Sequence, residues 1–210
     1  MDPELQNFMT ARVFDGAMGS FFESAYEGTP PWDIGRPQPE FVRLESAGEI
    51  RGSVLDVGCG TGENALFLAG KGHEVWGIDA APTAIQKAKA KASERKLKAT
   101  FAVHDALQLR RLGRTFDMAI DSGLFHTFDD PDRDRFAQSL AAVLPARGSY
   151  LMMCFSEREP GEWGPRRVTQ AEIRAAFRAG WRVDWIRKAR FEAAVEDGGA
   201  EAWLSRIVRQ

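Results

Sequence analysis

The chain has 210 residues, 28 Lys and Arg against 30 Asp and Glu, and a formal net charge of -2 at pH 7. That length fits one large domain, or one domain with a small extension, and the balanced charge forces no nucleic-acid surface. Two distant cysteines, Cys59 and Cys154, argue against a disulfide scaffold or a metal cluster. No apolar run approaches the roughly 18 residues that span a bilayer. The opening MDPELQNFMTARVF lacks a basic start followed by an apolar core. These features predict a reduced, soluble, cytoplasmic chain with no membrane partner.

In chain order, Phe14, Met18, Phe21, Phe22 and Tyr26 recur at three- to four-residue spacing. They predict an amphipathic helix, packed over a sheet or capping a hydrophobic pocket. GTPPWDIGRPQPEF, Gly28 to Phe41, follows with four prolines and no run that makes a long helix or strand. Val54 to Val57 is a short apolar strand ending in a glycine-rich turn. Ala65, Leu66, Leu68 and Ala69 then fall at helical spacing, and Gly70 to Gly72 closes that helix. Glu74 to Asp79 is the second strand. APTAIQKAKAKASERK is a helix with Ala and Ile on one side and lysines on the other. Its lysine run, Lys87 to Lys98, reads as a solvated face rather than a nucleic-acid patch. KATFAVHDA and TFDMAIDS are the third and fourth strands, and Phe136, Leu140, Val143 and Leu144 mark a helix before a fifth strand, GSYLMMCFS. Thr169 and Glu172 form a capping box for the next helix. WRVDWIRKARFEA and EAWLSRIVRQ follow with no helix between them, so they pair antiparallel. This alternation predicts an α/β sheet with helices on both faces.

The turn after the first strand carries Gly58, Gly60 and Gly62, preceded by Asp56. A dinucleotide fingerprint needs a glycine at position 63, where Glu63 stands, and no Gly-Lys-Ser/Thr ending makes a phosphate-binding loop. The glycines still require backbone close to a ligand or at positive φ. An acidic residue beside them points to a cationic group rather than a phosphate.

VLDVGCGTG, the acidic Asp79 of WGIDAAP, HDAL and FDMAIDSGLFH stand in this order between about Arg51 and Phe155. They resemble the motifs of the class I S-adenosylmethionine-dependent methyltransferases over half the chain. The resemblance implies a Rossmann-like seven-stranded, mostly parallel sheet with a C-terminal antiparallel hairpin and an N-terminal helical cap. It implies S-adenosyl-L-methionine as cofactor and S-adenosyl-L-homocysteine as product. The matching positions are Asp56, Gly58, Cys59, Gly60, Thr61, Gly62 and Asn64 in the loop, Asp79 and Ala80 at the ribose, Asp105 and Ala106 at the adenine, and Asp121 and Ser122 after the fourth strand. Two ribose hydroxyls would offer the Asp79 carboxylate a bidentate partner. Asp56 has a second reading as a loop cap and Asp105 as a helix cap. Cys154 reads as core.

PPWDIGRPQPEF resembles a strap found in a subset of these enzymes that methylate small molecules: thiol and halide methyltransferases, thiopurine-type enzymes, and bacterial enzymes acting on phenols, quinols and hydroxyquinolones. The resemblance makes Trp32, Asp33, Gly35 and Pro37 strap residues that close over the cofactor. Prolines lower the entropy of ordering a lid, and an indole offers an apolar wall to a sulfonium. The alternative is a structural turn with Trp32 packed on the core. Residues 1–40 are thus the cap and strap, and 41–210 the methyltransferase domain.

A base is needed only when the acceptor arrives protonated, and His126, just past the fourth strand, is the candidate; its second reading is shaping the pocket. His73 reads as surface and His104 as packing. The three scattered histidines suggest no metal. Phe125, Arg158 and Trp163 are candidates for the acceptor pocket, the last two on the long loop SEREPGEWGPRRV. The reading is methyl transfer to a small, aromatic hydroxyl, thiol or ring-nitrogen acceptor. The alternatives are a thiol, halide or metalloid-oxyanion methyltransferase, and a cofactor-binding sensor without turnover. Oligomeric state, monomer or dimer, stays open.

Overall fold

In the computed structural model, residues 17–161, 163–195 and 198–210 are described; Phe14 lies outside them. Seven strands form one sheet in the order β3-β2-β1-β4-β5-β7-β6. The parallel part comprises β1 (Val54–Val57), β2 (Val75–Asp79), β3 (Thr100–Val103), β4 (Met118–Ser122) and β5 (Ser149–Phe155). The last two strands, β6 (Trp181–Glu192) and β7 (Gly199–Arg209), pair antiparallel, and β7 also runs antiparallel to β5.

The hairpin expected at the C-terminus therefore inserts its second strand beside the parallel sheet and leaves its first at the edge. Composition explains the choice. β7 buries Ala200, Ala202, Trp203, Leu204 and Ile207, whereas β6 carries Arg182, Arg187, Lys188 and Arg190. Charged side chains on an outer strand also discourage pairing with another chain.

Alternating residues of the strands face opposite sides. In β5, Tyr150, Met152 and Cys154 join one core with Phe136, Leu140, Ile173 and Phe177. Leu151, Met153 and Phe155 join another with Phe41, Leu66, Leu68 and Ile85. Helices cover both faces, as a parallel sheet needs. These are α1 (Ala17–Ala25), α2 (Pro39–Ser46), α3 (Glu63–Gly70), α4 (Pro82–Glu94), α5 (Asp130–Ala141) and α6 (Gln170–Ala176). Short 3-10 turns span Ala106–Leu112 and Phe125–Thr127.

The capping box holds: Thr169 Oγ1 accepts the Glu172 amide at 3.1 Å, and the Glu172 carboxylate accepts the Thr169 amide at 2.7 Å. Helix α2 was not expected from its proline-rich sequence. Pro39 sits at its first turn, where no amide donor is needed, and Phe41 and Leu44 bury its inner face. Among the described residues, no helix is long and apolar enough to cross a membrane.

Candidate functional site

The loop between β1 and α3 lies at the carboxyl ends of the parallel strands, where open α/β sheets bind ligands. Gly60 and Gly62 have φ of 53° and 85°. A Cβ on Gly60 would fall 2.5 Å from the Tyr26 hydroxyl, and one on Gly62 would fall 2.9 Å from the Phe101 ring. Both positive φ and close approach thus exclude larger residues at these two positions.

Asp79 closes the loop from the end of β2. Its Oδ2 accepts the Gly60 amide and its Oδ1 the Ala81 amide, each at 2.9 Å. Burial raises its pKa while these amides oppose the rise. Each oxygen keeps a further acceptor site.

Asp56 is different. It is buried, and neither carboxyl oxygen has a hydrogen-bond partner among the described residues. Burial and then the charge of Asp121 push its pKa up to about 8. A buried carboxyl without donors is costly, and an ammonium group beside it would remove both the orphaned acceptors and the charge penalty. The chemistry of this donor set fits the ammonium of the implied cofactor.

At the ends of β2 and β3, a cleft of about 380 Å³ is lined by Ala80, Val103, His104, Asp105, Gln108 and Arg111. Val103 is a 51% exposed apolar side chain on its wall. Asp105 caps the following 3-10 turn, accepting from the Leu107 amide at 2.8 Å and Gln108 Nε2 at 2.7 Å. The cap reading of Asp105 is therefore realised, on a residue that still fronts the cleft. Ala106 opens the turn, and its carbonyl accepts from Ser139 Oγ at 2.7 Å. His104 Nε2 lies 3.0 Å from the Gln108 carbonyl oxygen.

The strap is tied down at both sides of the loop. Asp33 accepts from Thr61 Oγ1 at 2.9 Å, and Thr61 Oγ1 accepts from Lys91 Nζ at 2.7 Å. Asn64 Oδ1 accepts the Gln38 amide at 2.9 Å. The Gln38 side chain donates to the Glu192 carbonyl at 2.8 Å and accepts its amide at 3.0 Å. The Ala194 amide donates to Pro31 O at 2.8 Å. Gly35 turns the strap at φ 69° and Pro37 follows, half-buried.

The Trp32 ring packs against Phe21, Phe22 and Tyr26, and its N–H donates to the Tyr26 hydroxyl at 2.9 Å. Glu23 of α1 accepts the Thr83 amide at 3.0 Å, holding the cap helix on the start of α4. The lysine face of α4, expected to be solvated, is partly engaged instead: Lys91 pairs with Glu63 at 2.8 Å and Lys87 donates to the Gly28 carbonyl at 2.8 Å.

Past β4 the structure corrects three expectations. Asp121 is fully buried and accepts from Leu124 N at 2.6 Å, Phe125 N at 2.9 Å and Tyr150 Oη at 2.7 Å. Its carboxylate shapes the turn through these three donors; Ser122 beside it is half-buried. Phe125, expected in the acceptor pocket, is instead core: its ring lies 5.9 Å from Phe177, with the Arg133 guanidinium 4.8 Å over it.

His126 does not fit a base. Its Nδ1 accepts the Phe155 amide at 3.1 Å, so the neutral ring carries its proton on Nε2. Burial, then the charges of Arg133 and Arg167, hold its pKa at about 3.

Around His126 stands an aromatic cluster. Phe155 lies 5.0 Å from the imidazole and Phe191 6.1 Å, while Trp163 meets Phe155 edge-on at 5.4 Å. Arg167 lies over both Phe155 and Trp163. Trp163 was expected here. Arg158 does not join the cluster: its side chain is 41% exposed and lies 3.7 Å from Glu201. Phe155, Phe191, Arg167 and Gln38 escaped the sequence reading. Only Phe155, ending an apolar strand at the ligand-binding edge, carried a signal for its place.

A methyltransferase domain family matches residues 54–148. The 2-heptyl-1-hydroxyquinolin-4(1H)-one methyltransferase of Mycobacteroides abscessus is 40% identical over 194 residues, covering 86% of each chain. A solved structure from work on the conversion of a disulfide bond into a thioacetal group during echinomycin biosynthesis superposes with a TM-score of 0.85. It is 35% identical and covers 92% of both chains. Probable thiol methyltransferase 2 of Arabidopsis thaliana is 26% identical over 160 residues, covering 75% of this chain and 71% of its own.

Proposed function

Because the chain belongs to the S-adenosylmethionine-dependent methyltransferases, we propose that it methylates a small planar aromatic acceptor through a hydroxyl, thiol or ring nitrogen. A 1-hydroxyquinolin-4(1H)-one, the acceptor class named for the relative from Mycobacteroides abscessus, is the leading candidate. The observation that carries the reading is the aromatic wall of Phe155, Trp163 and Phe191 around His126, just past the end of β4. Flat aromatic rings pack edge-on or offset against such walls.

In this reading Asp79 and Ala80 hold the ribose, Asp105, Ala106 and Val103 the adenine, and Asp56 the ammonium group. Gly58, Cys59, Gly60, Thr61, Gly62 and Asn64 bring the loop backbone and strap anchors alongside. When bound, the cofactor supplies a methyl group on a sulfonium sulfur. Trp32, Gly35 and Pro37 close over it and exclude water, and positioning carries much of the rate. Residues 1–40 act as cap and strap, and 41–210 as the catalytic domain. The enzyme works in the cytoplasm, where its two free cysteines stay reduced.

The test is calorimetric titration with S-adenosylhomocysteine, followed by a methyl-transfer assay over hydroxyquinolones, phenols, quinols and thiols. Turnover on a hydroxyquinolone supports the reading, and turnover on thiols alone replaces it. Binding without any turnover favours a sensor.

A further inference from the structure

Three observations at the acceptor end point one way. The first is the occupied histidine: the His126 Nδ1 lone pair accepts the Phe155 amide, and the other ring nitrogen of the neutral tautomer carries the proton, leaving no lone pair for an acceptor proton. Facing it from α5 is Arg133, from the rim loop Arg167, and from β6 the uncharged Phe191.

The second is the charge balance around these arginines. Arg133 and Arg166 share Glu172 and Asp130, two cations on two carboxylates. Arg167 has no ion pair among the described residues; Glu159 is the carboxylate whose charge reaches it. Its guanidinium is held by backbone carbonyls, from Pro165 at 2.9 Å, Gly161 at 3.1 Å, Pro160 at 3.3 Å and Trp163. These bonds fix its position without cancelling its charge.

The third is that Arg167 Nε is buried and donates to nothing among the described residues. A buried, unpaired donor on a fixed cation is suited to pair with an anion. Burial also holds the Arg167 pKa below its ordinary value, a penalty that a neighbouring negative charge would remove.

We propose that the acceptor is taken as an anion, already ionised at an N-hydroxy, acidic phenolic or thiol group, and that Arg167 is the residue that selects it. The inference rests on the reading of a small aromatic acceptor. The proton goes to solvent before binding. The acceptor's lone pair on oxygen or sulfur then forms the new bond to the methyl carbon as the carbon–sulfur bond breaks, with that electron pair remaining on sulfur. The negative acceptor and the sulfonium become two neutral products, and no proton is released in the transfer. Acceptors with poorly acidic hydroxyls, such as simple alcohols, are disfavoured because His126 has no lone pair free to take their proton.

The experiment compares binding of a 1-hydroxyquinolin-4(1H)-one with binding of its own methyl ether, by calorimetry, with S-adenosylhomocysteine present. The ionised acceptor is expected to bind at least about tenfold more tightly than the uncharged ether. Arg167→Gln removes that preference and Arg167→Lys restores part of it. Equal binding of the two by the native protein overturns the inference. So does an Arg167→Gln change that weakens both ligands alike, the mark of a loop that has merely lost its staple.

In turnover, the rising limb of kcat/KM against pH follows the acidity of each ring-substituted hydroxyquinolone, with the same midpoint in His126→Asn. A midpoint common to all acceptors and lost in His126→Asn restores the histidine base and sinks the inference. Binding of S-adenosylhomocysteine with neither hydroxyquinolone nor ether bound refutes the acceptor class itself, and this inference falls with it.

Discussion

Asp79, the last residue of β2, accepts the backbone amide of Gly60 at 2.9 Å across 19 residues of sequence. The carboxylate expected to hold the ribose is thus also the one that sets the shape of the glycine loop. Ligand affinity and loop geometry are coupled through a single side chain. Asp79→Ala removes two charge-assisted hydrogen bonds to backbone, to Gly60 and Ala81, each worth roughly 1.5–3 kcal/mol. The expected result is loss of S-adenosylhomocysteine affinity by about a hundredfold or more, with a fall in stability of at least about 1 kcal/mol. Calorimetry and urea unfolding read the two effects. Unchanged affinity would remove Asp79 from the ribose site.

Asp56 predicts an inverted pH dependence. Its folded pKa of about 8 stands above the ordinary value of 3.8, so the folded chain keeps a proton that the unfolded chain releases between those values. Stability from this group is full below the lower value and falls as pH rises through the upper one. Between about pH 5.5 and about pH 8.5, Asp56→Asn is expected to lose less stability than the native protein by about 1–3 kcal/mol. The gain in melting temperature from S-adenosylhomocysteine should grow over the same range, because its ammonium pairs with the ionised carboxylate. Parallel curves for native and variant would show that Asp56 does not titrate there.

Local pattern carried most of the framework and little of the closure. Apolar runs such as Val54–Val57 and the glycine spacing after them are readable because period and φ are local properties. The capping box of α6 is local too. Helix α2 was hidden because prolines dominate its approach, although one at a first turn is compatible with helix. The order of β6 and β7 depends on comparing the burial of two strands, not on either alone. His126 looked like a base because an unpaired histidine is one; its pairing with Phe155, 29 residues on, leaves no trace in spacing. The same holds for Arg167, whose neighbours at 160 to 165 are read through carbonyls rather than side chains.

Gln38 shows how far closure reaches. It joins the strap to the end of β6, 154 residues away, through a pair of hydrogen bonds to the Glu192 backbone, and it is 4% exposed. Gln38→Ala leaves both backbone groups unpaired, at about 1–3 kcal/mol each when buried. The strap should open more often, seen as faster hydrogen exchange across residues 30–38 and about tenfold weaker S-adenosylhomocysteine binding. Exchange rates equal to those of the native protein would mean that the remaining ties, at Asp33, Asn64, Pro31 and Trp32, hold the strap without Gln38.

Trp163 separates acceptor packing from cofactor binding. Its ring meets Phe155 at 5.4 Å, with the Arg167 guanidinium 5.7 Å from its centre, and it lies on the rim loop after β5. Edge-on aromatic contact is worth about 0.5–1.5 kcal/mol beyond the area buried. Trp163→Leu keeps apolar bulk and removes the ring. The expected outcome is a KM for aromatic acceptors raised about three- to tenfold, with S-adenosylhomocysteine affinity unchanged within about twofold. Steady-state kinetics with a hydroxyquinolone and a small aliphatic thiol check this together, since only the aromatic acceptor should lose affinity. Equal losses for both would mean that Trp163 supports the loop rather than the acceptor, and that the aromatic wall is narrower, made by Phe155 and Phe191.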